Sequence, residues 1–246
     1  MLEEKAVQIK KKTIVDKIIK TLFLVVTGLC SLIIVMIAFF ILIKGLTPFF
    51  KTYEKGGESY RINFFKFIVG NTWYKSPNVY GAGYVLVDTI YITSIALLIA
   101  VPVSILTALF ISRMAPKWLA ILLNSAIELL ASIPSIIFGI FGSFILTAII
   151  KWISNLFGFQ SAGGLSGLTA SILLAFMIMP TITTISIGAI KAVKKEQILG
   201  SLALGTSKTQ TNFKVVLKAA KSGIFAGIIL GVGRALGEAT AVSMVI

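Results

Sequence analysis

The stretch 231-GVGRALGEATAV-242 carries an arginine and a glutamate inside an apolar run that extends over residues 223–246. About 20 apolar residues suffice for a helix to cross the hydrocarbon core of a bilayer, so this run predicts a membrane span. Arg234 and Glu238 are four residues apart, and a continuous helix would place them on one face. At about 1.5 Å per residue from Gly223, Arg234 would lie about 16 Å deep, near the middle of the core.

A charged side chain at that depth costs roughly 2.5–3.5 kcal/mol on insertion scales, so it persists only beside a partner or a wet cavity. We therefore predict that Arg234 and Glu238 line a substrate pathway, with Arg234 as the fixed positive charge for an anion. The alternative is an Arg–Glu pair that only holds helices together. Small residues at four-residue spacing allow close approach of another helix, which predicts packing positions at Gly227, Gly231, Gly233 and Gly237.

Composition places the rest of the chain in a membrane as well. Hydrophobic residues make up 57% and charged residues 13% of the sequence, whereas a soluble domain has about 25% charged residues. Cys30 is the single cysteine, so an intrachain disulfide is excluded. Histidine is absent, which removes His-dependent triads and the HExxH zinc helix. An enzyme is not excluded by composition, but its commonest tools are missing, and we expect a transport subunit that is not an enzyme and that binds no metal or cofactor itself.

Five apolar stretches predict an all-α, polytopic helical bundle. After a basic amphipathic segment at 1–20, the expected spans are about 21–43, 84–111, 118–150, 165–190 and 223–246. Because residue 246 ends a span without a polar flank, a sixth span is expected beyond it.

The third stretch would measure about 50 Å as one helix, so Pro134 predicts a kink or a break within it. Glu128, ahead of that proline, would face either the bundle lumen or water at the inner interface. The excess length of the stretch favours the second position.

The distribution of cations predicts the orientation. Segments 1–20, 112–117 and 191–222 carry 15 of the 23 Lys and Arg residues, and segments 44–83 and 151–164 carry seven. The positive-inside rule therefore predicts a cytoplasmic N-terminus. Most of the net charge of +14 then faces anionic lipid or an inner partner, and nucleic acid is not implied. The aromatic-rich segment 44–83 predicts a loop on the membrane interface or a docking surface for an external partner.

The inner segment 191–222 is too apolar for a simple loop. Residues 198–204 predict a short helix that Gly205 ends, and Thr206 or Ser207 would cap a second helix. With lysines at its rim, the pair predicts a docking surface for a soluble partner; a surface-bound hairpin without a partner is the alternative. The run 205-GTSKT-209 lacks the G-x-x-x-x-G-K-[ST] frame, so no nucleotide site is predicted.

Several motifs in order resemble one family. The run 201-SLALG-205, followed by 215-VVL-217, resembles the EAA coupling loop of ABC importer permeases. Two further runs, 128-ELLASIPSIIFG-139 and 233-GRALGE-238, resemble the phosphate-importer permeases of PstC type, as does 73-WYKSP-77. The similarity covers most of residues 70–246. The chain departs from the coupling motif at Leu199, Gly200 and Lys218, where the family has glutamate, alanine and proline.

The resemblance implies a type I ABC importer permease fold and one half of a channel that imports inorganic phosphate across the bacterial cell membrane. It also implies three protein partners: an ABC ATPase subunit that holds ATP and Mg²⁺, a second homologous permease and an extracytoplasmic phosphate-binding protein. The implied ATPase-coupling residues are Leu199, Gly200, Ser201, Ala203, Leu204, Gly205, Val215 and Leu217.

Two alternatives stay open at this point. In the same class, the chain would be the companion phosphate permease of PstA type or a permease for sulfate or molybdate. In a different class, it would be a passive anion channel or a membrane scaffold.

Overall fold

The computed structural model describes the backbone of residues 2–55, 58–74, 79–159 and 163–246. Side chains are described for these residues except 2–14, 55, 58, 60, 73, 74 and 79. Within this part of the chain, five helical segments are long and apolar enough to cross a membrane: Val15–Phe50, Gly83–Met114, Ser135–Leu156, Gly167–Lys191 and Lys208–Gly237. The predicted all-α, five-span architecture is therefore confirmed.

Two compact units, Met1–Tyr84 and Val85–Ile246, divide the chain. The first unit begins with one long helix, α1 (Leu2–Phe50). Its backbone is continuous, so no break separates the basic segment 1–20 from the first span. The side chains of that segment up to residue 14 lie outside the described residues.

Small elements follow α1 in the first unit. Strands β1 (Thr52–Lys55) and β2 (Glu58–Arg61) pair antiparallel, and the short helix α2 (Phe64–Val69) comes next. Asn63 caps α2, because its side-chain oxygen accepts hydrogen bonds from two backbone N–H groups of the first turn. Strands β3 (Trp73–Tyr74) and β4 (Val79–Tyr80) pair antiparallel; residues 75–78 of the 73–77 motif lie outside the described backbone.

The second unit is wholly helical in its described part. It contains most of α3 (Gly83–Leu109), followed by α4 (Lys117–Ser132), α5 (Ser135–Phe141), α6 (Thr147–Leu156) and α7 (Gly167–Lys191). Then come α8 (Lys195–Ala203), α9 (Lys208–Gln210) and α10 (Leu217–Gly237). Three π-helical turns, Phe110–Met114, Gly142–Leu146 and Thr211–Val216, join neighbouring helices, and a 3₁₀ turn, Val242–Met244, follows α10.

Helix α7 forms the centre of the second unit. Buried side chains occur all around it, as expected for a helix that is enclosed by others. Near its first half, Leu173 and Ile178 pack with Ile92 of α3 and Leu146. Near its second half, Ile187 and Ile190 join a separate apolar cluster with residues of α3, α8 and α10.

Helix α10 packs antiparallel against α7 through glycines. A Cβ atom added to Gly223 would lie 2.5 Å from the Ala189 Cβ, and one added to Gly231 would lie 2.7 Å from Ile182. A Cβ atom added to Gly227, between them, would lie 3.2 Å from the Ile185 side chain. The predicted packing role of Gly227 and Gly231 therefore matches their position in the structure. A Cβ atom on Gly233 or Gly237 would meet nothing within 4 Å in this chain, so a packing role for these two stays a prediction.

The third apolar stretch, 118–150, is divided at Pro134, where the sequence predicted a kink or a break. Helix α4 ends at Ser132 and α5 begins at Ser135. Ile133 has extended backbone angles, φ −67° and ψ 127°, because the ring of a following proline disfavours the helical region. The membrane-crossing segment is Ser135–Leu156 instead, and α4 is a separate helix before it.

The fifth span also differs from the expectation, because α10 ends at Gly237 and not at residue 246. Beyond it, Ala241 and Val245 are fully buried. Ala241 lies against Gly139, and Val245 lies against Gly142. The last described residues therefore turn onto the α5 region at positions where a side chain on either glycine would collide with them.

We predict opposite effects for two alanine substitutions in α10. Gly223→Ala places a methyl group against the Ala189 Cβ, and such overpacking costs about 1–3 kcal/mol. Gly233→Ala meets open space and gains about 0.5–1 kcal/mol of helix propensity. Thermal unfolding of the detergent-purified chain should show a lower midpoint for the first variant and an equal or higher midpoint for the second. Equal midpoints for both would contradict the packing described here.

Candidate functional site

Arg234 lies in the last turn of α10 and is half-buried. Its Nη1 donates a hydrogen bond of 2.9 Å to the Oγ1 of Thr181 in α7. Counted along α7, Thr181 lies roughly 21 Å from the start of the helix and roughly 15 Å from its end. The guanidinium therefore lies level with the middle of α7, and the predicted depth of Arg234 in the membrane stays a prediction.

Local packing accounts for this position. The contact of Gly231 with Ile182 fixes the register of the two helices one turn before Arg234. Pro180 is buried in α7 directly before Thr181, and a proline leaves one backbone carbonyl of its helix without a donor. Thr181 is not among the residues predicted from the sequence. Its placement directly after a mid-span proline is the one signal that points to it.

Glu238 occupies a different position from the predicted one. It is the C-cap of α10, with φ −88° and ψ 86°, and so it does not continue the helical face of Arg234. In the part of the chain that the structure describes, Arg234 bonds to Thr181 and forms no ion pair with Glu238. Both charged residues are half-buried. The alternative of a fixed Arg–Glu pair is therefore not what the structure shows.

The chemistry of this arrangement suits an anion. A guanidinium has five N–H donors in a rigid fork, and the bond to Thr181 engages one of its nitrogens. Planar donors of this kind make bidentate, charge-assisted hydrogen bonds to oxyanions. The role of Arg234 and Glu238 in a substrate pathway stays a prediction that this geometry supports.

A second candidate site is the corner between α8 and α9. Gly205 has φ +80°, a left-handed conformation that glycine adopts without strain and that ends α8. Ser207 caps α9 and forms a capping box with Gln210. Leu204, at the tip of the corner, is 86% exposed, and Leu199 on α8 is 64% exposed. Two large apolar side chains thus project from a rigid turn.

Three hydroxyl groups hold this corner together. The Thr206 Oγ1 lies 2.8 Å from the Ser201 Oγ and 2.9 Å from the Thr211 Oγ1. The Thr206 hydroxyl also donates to the backbone oxygen of Ser201 at 2.7 Å. Ser201 and Thr211 are buried. The sequence predicted the apolar positions of this segment but not the hydroxyl cluster.

The structure divides the predicted coupling residues into two groups. Ser201 is buried within the hydroxyl cluster, and Val215 and Leu217 are half-buried on the side of the bundle. The exposed group comprises Leu199, Gly200, Ala203, Leu204 and Gly205. A docking partner would therefore contact the exposed group directly. Ser201, Val215 and Leu217 would instead support the shape of the corner.

A further link joins this corner to the turn after α3. The Arg113 Nε donates to the Oδ1 of Asn212 at 3.5 Å, and Asn212 is buried. On α4, Glu128 is exposed and accepts a hydrogen bond of 2.6 Å from the Asn124 side chain. The expectation that Glu128 faces water stays a prediction. No three His, Cys, Asp or Glu side chains cluster as a metal ion would require in the portion of the chain described.

Comparison with known proteins places this fold in a family. Residues 100–246 match the family described as "Binding-protein-dependent transport system inner membrane component". That match covers more than half of the chain, so the chain belongs to this family of inner-membrane transport components. Together with its five membrane-crossing helices, this makes the chain a multi-pass membrane protein.

Individual relatives are more specific. The chain is 38% identical over 199 residues to the phosphate transport system permease protein PstC of Pasteurella multocida, which covers 74% of this chain and 61% of the relative. It is 36% identical over 232 residues to the probable PstC of Methanocaldococcus jannaschii, which covers 87% of this chain and 71% of the relative. The chain is also 37% identical over 198 residues to the probable ABC transporter permease YqgH of Bacillus subtilis. The aligned region covers 78% of this chain and 62% of the relative. The chain thus spans about three fifths of the length of the first relative.

Proposed function

We propose that the chain is a permease subunit of an ATP-driven importer for inorganic phosphate and forms one half of its translocation channel. Membership of the inner-membrane component family and similarity to PstC permeases support the class and the substrate. The single observation that carries the proposal is the hydrogen bond between Arg234 and Thr181, level with the middle of α7.

The neutral partner of Arg234 matters for this role. A carboxylate would neutralise the guanidinium, whereas the Thr181 hydroxyl orients it and leaves its full positive charge for an anion. Hydrogen bonds to charged groups contribute about 1.5–3 kcal/mol. Glu238, just beyond the end of α10, would hold the guanidinium when no anion is bound or repel the anion onward.

The orientation and the partners follow from the same assignment. The positive-inside rule puts the N-terminus and the α8–α9 corner in the cytoplasm of a bacterial cell. The exposed Leu199 and Leu204 would dock onto an ABC ATPase subunit, which binds and hydrolyses ATP with Mg²⁺. A second homologous permease completes the channel, and an extracytoplasmic phosphate-binding protein delivers the substrate. Closure of the ATPase would drive alternating access.

Substitution of the central cation tests the substrate pathway. Arg234→Ala should lower phosphate uptake at least tenfold, because it removes a charged donor worth about 1.5–3 kcal/mol. Thr181→Val should lower uptake by a smaller factor, and Thr181→Ser, which keeps the hydroxyl, should restore it. Uptake of radiolabelled phosphate is measured in cells whose other phosphate importers are deleted.

Lys151→Gln, which alters an exposed cation on α6, is the matched control and should leave uptake unchanged. A wild-type rate in both Arg234→Ala and Glu238→Gln would remove the pathway assignment. Uptake of sulfate or molybdate in place of phosphate would favour a permease for another oxyanion.

Substitution at the corner tests the coupling to an ATPase. Leu204→Asp puts a charge on an apolar side chain that is 86% exposed, so it should weaken docking with little effect on folding. Co-purification of the ATPase and phosphate-stimulated ATP hydrolysis should both decrease. Leu165→Asp, at an exposed leucine ahead of α7, is the control and should leave both unchanged. Phosphate flux that persists while no ATPase co-purifies would favour a passive anion channel.

A further inference from the structure

The first unit contains an open cleft whose walls are mostly aromatic. It has a volume of about 570 Å³, and its apolar walls are formed by Leu46, Phe49, Phe50, Phe64 and Phe65. The rings of Phe49 and Phe64 meet edge to face with 5.1 Å between their centroids. Phe50 and Phe65 are 76% and 77% exposed. Contiguous exposed apolar surface of this kind marks a site of contact with a membrane, a ligand or another protein.

The level of the cleft relative to a bilayer follows from α1 alone. Residues 21–43 of this helix are free of charge and measure about 35 Å, close to the hydrocarbon thickness of about 30 Å. Lys44 is the first charged residue after them, and its Nζ lies 5.7 Å from the Phe40 ring centroid. Phe50 is six residues further, or about 9 Å. The headgroup layer on each side is about 5–8 Å thick. The α1 wall of the cleft, from Leu46 at about 3 Å to Phe50 at about 9 Å beyond Lys44, therefore crosses that layer and reaches its outer edge.

Charge distinguishes the occupants that could fill the cleft. Arg61 lines it and donates through Nε to the Thr52 hydroxyl at 3.2 Å. Residues 44–66 carry five cations and two carboxylates, and the four cations whose side chains are described, Lys44, Lys51, Arg61 and Lys66, are exposed. An apolar groove with a positive rim at the headgroup layer is complementary to an anionic lipid, whose acyl chain and phosphate are close together.

We infer that this aromatic cleft binds an anionic phospholipid, with an acyl segment between the phenylalanines and the headgroup phosphate at Arg61. The inference rests on residues of the first unit alone and does not depend on the proposed substrate pathway. Binding would anchor the segment after α1 to the membrane surface. It would also cover Phe50 and Phe65, which the first unit itself leaves exposed.

Photo-crosslinking of the full chain in nanodiscs tests the inference. The discs contain phosphatidylcholine with a small fraction of diazirine-labelled phosphatidylglycerol or, in parallel, diazirine-labelled phosphatidylcholine. Peptide mass spectrometry should find at least threefold more adducts on residues 46–66 with the anionic probe. Residues 21–43 of α1 serve as an internal control, because annular lipid should label them equally with both probes.

Variants of Arg61 distinguish an effect of its charge from an effect on folding. Arg61→Gln should reduce the anionic yield on 46–66 to the level of phosphatidylcholine, Arg61→Lys should keep the preference, and Lys151→Gln should leave it unchanged. Equal yields with the two probes in the wild-type chain would overturn the inference. Loss of the preference in Arg61→Lys as well as Arg61→Gln would also overturn it. The geometry of the paired strands β1 and β2, and not the charge of residue 61, would then be the cause of the preference. Absence of adducts from 46–66 would overturn it in favour of a protein occupant.

Discussion

The close antiparallel contact between α7 and α10 is the constraint on which the second unit depends. Lipid tails are as apolar as leucine, so helices in a membrane associate mainly through tight packing and not through a hydrophobic driving force. Gly223, Gly227 and Gly231 allow α10 to approach α7 until the missing Cβ atoms would collide with it. This approach fixes the register of the two helices and carries Arg234 to the level of Thr181.

This register gives Arg234 a defined position and a neutral partner, the hydroxyl of Thr181. The guanidinium does not pair with a carboxylate, and its hydrogen bond to the Thr181 hydroxyl fixes its direction. Helix α10 ends one turn later, and Gly233 and Gly237 leave open space beside it. This arrangement is the basis of the proposed anion pathway. The α8–α9 corner, held by its hydroxyl cluster, presents the exposed Leu199 and Leu204 ahead of α10.

The sequence predicted the features that repeat along the chain and missed those that depend on tertiary contacts. Hydropathy identified five spans, and glycine spacing identified Gly227 and Gly231. The end of α10 was missed because neither a proline nor a left-handed glycine marks it; it follows from the burial of Ala241 and Val245 against other helices. Thr181 was missed for a similar reason, since one threonine in an apolar span resembles many others until its partner is known.

Whether Arg234 faces a water-filled path can be measured by the reactivity of a cysteine placed beside it. Gly237 lies about one turn beyond Arg234 on α10, where a side chain meets open space. In the complete transporter, with Cys30→Ser as background, Gly237→Cys is exposed to a small hydrophilic thiol reagent, with and without phosphate. We expect the reagent to modify the cysteine at position 237. Phosphate should slow this modification several-fold, and chloride should not. A thiol that stays unmodified until the protein is denatured would contradict it, because Arg234 would then face a sealed interior.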